Sequence, residues 1–121
     1  MLNAAFIVLA AAVLLGSVLA TLHLREGAAP PPWPFGALHG VIGIGGLALL
    51  AFAVRAPQRG LDEGTGSFGT IAAALLLLAA LTAAGLLRAR LRQTRLSGAL
   101  IGAHATLAVS GFVILLVYVL G

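Results

Sequence analysis

The stretch FGALHGVIGIGGLALLAFAV, residues 35–54, decides the fold. It contains no Asp, Glu, Lys or Arg, and its one ionisable ring is His39. A helix of this length spans about 30 Å, the thickness of a bilayer's hydrocarbon core. Because a helix pairs its own backbone polar groups, such a segment can cross lipid without leaving them unsatisfied. Three further stretches have the same character, at residues 2–22, 68–87 and 96–120, and none carries the polar stripe that a water-facing bundle helix needs. Of the 121 residues 61% are hydrophobic and 8% charged, and the mean hydropathy is +1.14. The expected fold is therefore all-α: one transmembrane domain over residues 1–121, an up-down four-helix bundle in the lipid bilayer. With three short loops and two small tails in these residues, any chemistry is expected in or beside the bilayer.

Cysteine is absent. That removes disulfide relays, thioether haem attachment, thiolate zinc and iron–sulfur ligation from consideration. The net charge of +4 comes from arginine. Four of these, Arg88, Arg90, Arg92 and Arg95, fall in the third loop, where they read as a topology signal and not as a nucleic-acid surface. The second loop balances Arg55 and Arg59 against Asp62 and Glu63, and in the first Arg25 adjoins Glu26. Loops one and three are thus expected on the cytoplasmic side, with both termini outside, in a bacterial inner membrane. The N-terminal segment lacks a basic start and runs on to Leu22, so it reads as a retained helix and not a cleaved signal.

The run EGAAPPPWPFG, residues 26–36, separates the first two helices. Pro34 suits a helix's first turn and Trp33 the membrane interface. Ser67 is a candidate N-cap of the third helix, and Thr94 or Ser97 of the fourth.

Apart from a few hydroxyls, the polar groups inside the membrane are histidines. No Asp, Glu, Lys or Arg falls at mid-bilayer depth, which argues against a proton-coupled small multidrug transporter and against a channel with a charged selectivity ring. The second and fourth helices run parallel and are diagonal in an up-down bundle. His39 and His104 then lie roughly 6 and 12 Å inside the cytoplasmic leaflet and can face each other. Gly36, Gly43 and Gly46 share a face with His39, and Ala108 and Gly111 share one with His104. Smooth grooves beside two facing imidazoles suit a flat macrocycle with a central metal. The same small residues also suit plain helix packing, and a lone histidine often just bonds a neighbouring helix.

Sliding the chain by 65 residues pairs His39 with His104, Gly46 with Gly111 and Leu50 with Leu115, and places Ser17 on Thr82 and His23 on Arg88. The pattern is compatible with a duplicated helical hairpin, but a competing slide of 62 pairs GALHG with GALIG, sets His39 against Ile101 and keeps the same face, and alanine and leucine often match by chance.

In architecture the chain resembles small b-type membrane cytochromes, in which a four-helix bundle holds haem between histidines of diagonal helices with glycines beside the ring. The resemblance covers all four helices and rests on His39, His104 and their small neighbours. It implies one haem b with His39 and His104 as axial ligands, and electron transfer with a quinone or another subunit's redox centre. It also adds His23 and Arg88 as further candidates, the first as a ligand or quinone contact and the second as a propionate partner. Two alternatives stay open: a cofactor-free accessory subunit packed into a larger membrane complex, and a chlorophyll-type pigment carrier. Each is a non-catalytic role more than that of a complete enzyme, with other membrane subunits as partners and no nucleic acid.

Overall fold

Alanine and leucine, which lose little on becoming helical, dominate the four apolar segments, and lipid leaves the backbone no partner but itself. The computed structural model describes residues 1–25, 31–55, 64 and 66–121. It contains four helices, α1 (Leu2–Leu24), α2 (Trp33–Ala53), α3 (Phe68–Leu91) and α4 (Gly98–Leu120). Each is long and apolar enough to cross a membrane. Glu26, Arg59, Asp62 and Glu63 lie outside the described residues.

Five helix boundaries differ from the sequence reading; α1 runs two residues further, to Leu24, and α2 stops one earlier, at Ala53, and the other three have a local reason. Helix α2 starts at Trp33, because Pro34 sits in the first turn, where its missing N–H is not needed. Helix α3 runs on to Leu91, since Arg88, Ala89, Arg90 and Leu91 are good helix formers. Its last turn also sets two cations beside the negative end of the helix dipole. Gln93 then turns the chain with φ 53°, while the Thr94 N–H reaches Ala89 O and the Gln93 N–H reaches Arg90 O, both at 3.0 Å. Helix α4 starts at Gly98, capped by Ser97, whose Oγ accepts from the Leu100 N–H at 3.3 Å. Ser67 occupies the N-cap position of α3, but its side chain makes no capping bond.

The helices form an up-down bundle. Packing is most extensive within the hairpins α1/α2 and α3/α4; the thinner α1/α4 and α2/α3 seams close the ring, leaving α2 and α4 diagonal. Arg90 Nη2 donates to Pro31 O at 3.0 Å, tying the end of α3 to the entry of α2 on the side of loops one and three.

The core is lopsided. Buried residues are Ala5, Leu9 and Ala12 on α1, Gly46 and Leu50 on α2, Gly69, Ala72, Leu76 and Ala79 on α3, and Gly111, Leu115 and Tyr118 on α4. These helix residues lie toward the termini and the second loop, where Phe6 also stacks on Phe112 with ring centres 5.2 Å apart; outside the helices Gly66 is buried too, and Pro31 at the opposite end. In the other half of the bundle, covering residues 13–24, 33–45, 80–91 and 98–110 of the four helices, no residue is buried.

The burial pattern corrects the internal repeat. Helix α2 maps onto α4 at the expected spacing, with Gly46 on Gly111 and Leu50 on Leu115. Helix α1 maps onto α3 two residues further on: Ala5 on Ala72, Leu9 on Leu76 and Ala12 on Ala79. Ser17 therefore does not match Thr82, nor His23 Arg88. The two-residue difference falls in the connections, which can change length without disturbing helix packing.

Candidate histidine site

Each candidate histidine sits six residues into its helix, His39 after Trp33 and His104 after Gly98. Both therefore lie about 9 Å from the helix start. The unequal depths expected from the sequence arose from placing the two starts at residues 35 and 96. With equal depths the rings meet across the bundle: their centres are 5.9 Å apart and their planes cross at 88°.

Each ring is held by its own hairpin. His39 Nδ1 lies 2.9 Å from the carbonyl oxygen of Ala12 on α1, and His104 Nδ1 lies 2.8 Å from that of Ala79 on α3. Ala12 and Ala79 are equivalent positions of the repeat, so the two halves of the molecule build the same contact. A carbonyl only accepts, so in both bonds Nδ1 carries the proton and donates. In the neutral ring Nε2 is then the unprotonated nitrogen, with a lone pair free to accept or to bind a metal. Thr82 adds to the second half: its Oγ1 donates to Ala79 O at 2.7 Å and stands 3.3 Å from His104 Nδ1.

Gly16 makes the first half possible. A Cβ built at this position would lie 2.7 Å from His39 Cε1, so only glycine lets the imidazole lie against α1. For Gly16→Ala we expect the His39 ring to leave Ala12 O while His104 keeps its bond. Imidazole ¹⁵N NMR checks this, with the Nδ1 signal of His39 moving and that of His104 staying.

The remaining candidates separate. Gly46 and Gly111 do not flank the rings: their missing side chains admit Leu9 and Leu76, with a built Cβ 2.7 Å from Leu9 Cγ and 2.9 Å from Leu76 Cγ respectively. Gly36 and Gly43 have nothing within 4 Å of a built Cβ, and Ala108 is half-buried. His23 lies at the end of α1, seven residues or about 10 Å beyond Gly16. It lines a cleft with Arg25 and Arg95 and does not join the pair. Arg88 is exposed in the last turn of α3. No group of three or more metal-ligating side chains occurs among the described residues. The sequence reading missed Gly16 and the carbonyls of Ala12 and Ala79; a backbone acceptor leaves no mark on residue identity.

Fold and site together define an integral membrane four-helix protein with a histidine pair inside the bundle. Comparison with protein-family models, curated proteins and solved structures finds no match.

Proposed function

We propose that this chain holds one haem b between His39 and His104 and carries electrons between a quinone, or a redox centre of a partner subunit, and the cytoplasmic leaflet. The carrying observation is the pair of Nδ1–H···O=C bonds. Metal-bound histidines characteristically anchor the other ring nitrogen on a carbonyl or carboxylate, which fixes the tautomer and raises the basicity of the ligating nitrogen. The spacing fits as well. A metal bound by two imidazoles at roughly 2 Å per bond separates their ring centres by about 6 Å, against the 5.9 Å found here.

The lopsided core supports the same reading. His39 and His104 belong to different hairpins, and the seam between hairpins is the thinner one. Burial of the helices stops near the level of the rings, so the half of the bundle beyond them is loosely packed where a macrocycle would insert. A haem would supply a one-electron iron couple. The protein's part is to present two neutral bases, hold their rings through Ala12, Ala79 and Thr82, and surround them with apolar helix that excludes water. Among the described residues no Asp, Glu, Lys or Arg stands at the rings, which suits electron transfer more than acid–base catalysis.

A second reading has its own support. The same two hydrogen bonds join α1 to α2 and α3 to α4 with no cofactor, as polar side chains do between membrane helices. In that case the chain is an accessory subunit and is purified colourless. An absorption spectrum of protein made in a haem-replete host separates the two; far-red absorption would indicate a chlorophyll-type pigment instead.

For orientation, Arg25, Arg88, Arg90, Arg92 and Arg95 all lie at the end of the bundle bearing loops one and three, which the positive-inside rule makes cytoplasmic. Alkaline phosphatase fused after Gly121 is then expected to be active and a fusion in loop three inactive. The reverse pattern would invert the topology.

A further inference from the structure

The cleft where α1 ends and α4 begins takes no part in the histidine pair. It is lined by His23, Leu24, Arg25, Arg95, Ser97 and Ile101 among others, with a volume of about 610 Å³, within the range of small-ligand sites. Its walls divide by chemistry. Arg25, Arg95 and His23 offer donors, and the first turn of α4 offers N–H groups that its own helix cannot pair. Among the described lining residues there is no carboxylate. Leu24, Leu96 and Ile101 supply an apolar wall.

A second cleft, of about 260 Å³, continues from Arg25 back along α1 over Ser17, Val18, Thr21 and Leu22. From Arg25 to Ser17 is eight residues, about 12 Å toward the bilayer interior. The two hydroxyls here are already committed, Ser17 Oγ donating to Val13 O and Thr21 Oγ1 to Ser17 O, each at 2.8 Å. The groove therefore presents an apolar face. A basic pocket at the membrane surface that runs into an apolar groove matches a molecule with an anionic head and an aliphatic tail.

We propose that this cleft binds an anionic phospholipid, its phosphate between Arg25 and Arg95 and one acyl chain along the Val18–Leu22 face of α1. Charge selects the headgroup, because guanidinium groups pair well with phosphate oxygens and each nearby cation strengthens the attraction to an anionic lipid. The site stands whether or not a haem is bound.

The test uses the purified full chain, equilibrated with equal phosphatidylcholine and phosphatidylglycerol in mixed micelles and examined by native mass spectrometry. The wild type is expected to retain one phosphatidylglycerol, enriched about ten-fold over phosphatidylcholine. The double variant R25Q/R95Q loses that enrichment, whereas R88Q/R92Q, at the same end but outside the cleft, keeps it; L22Q weakens retention by disturbing the groove. Wild type without enrichment overturns the site, even if a variant fails to fold. Equal loss in both double variants also overturns it, by reducing the effect to surface charge. Displacement of the lipid by millimolar inorganic phosphate alone would show a phosphate site with no acyl groove and overturn the lipid assignment.

Discussion

On the proposed haem site, replacing either His39 or His104 by alanine is expected to abolish the b-type absorption of the purified protein, whereas His23→Ala is expected to leave it in place. The size of this effect follows from the lack of substitutes. The chain has no cysteine, three histidines and one methionine, Met1 at the far end of α1. His23 is about 10 Å further along α1 than the level of the rings. Without one imidazole, a haem iron bound there would have no second histidine within reach, and a bis-imidazole spectrum would not survive in weakened form. The measurement is the reduced-minus-oxidised difference spectrum per mole of protein. A band that persists in both single variants would place any haem elsewhere.

Gly46→Leu and Gly111→Leu carry the second large effect, this time on stability. At Gly111 a built Cβ already lies 3.1 Å from Leu75 Cβ and 3.2 Å from the backbone nitrogen of Leu76, so α4 must move away from α3 to admit any side chain. Gly46 meets side-chain atoms of α1, Leu9 Cγ at 2.7 Å and Val8 Cγ1 at 3.2 Å from a built Cβ, which must be displaced. Overpacking of this kind costs about 1–3 kcal/mol per site, and both sites lie in the half of the bundle that holds the buried helix residues. Gly43→Leu is the control, since nothing lies within 4 Å of its Cβ position. Thermal unfolding in detergent is expected to show a large fall in midpoint for both crossing-point variants and little for Gly43→Leu. Equal tolerance at all three positions would mean that the two helices of each hairpin do not meet where the structure places them.

These two outcomes also mark what was legible in the sequence. Four spans were readable because lipid demands uninterrupted apolar helices, and that demand is written in composition. Helix ends were less so: the C-terminal turn of α3 looks like loop when Arg88 and Arg90 are read only as charges. The histidine pairing was readable because two like residues sit on diagonal helices at similar offsets. The role of the glycines was harder. Gly36, Gly43 and Gly46 share one face of α2, but a face does not say which neighbour approaches it. Gly46 meets Leu9 of α1, whereas the glycine that matters for the imidazole is Gly16, on a different helix. The repeat was blurred for a related reason, since its two-residue shift hides in the connections while alanine and leucine match at almost any offset.

Electron paramagnetic resonance of the oxidised, as-purified protein tests the account most directly, because it reports both axial ligands of a haem and the angle between them. Two imidazoles with crossed planes, as the 88° between His39 and His104 implies, predict one low-spin haem per chain with a strongly anisotropic signal. A high-spin signal, or a folded protein with no iron from a haem-replete host, would contradict the proposed site.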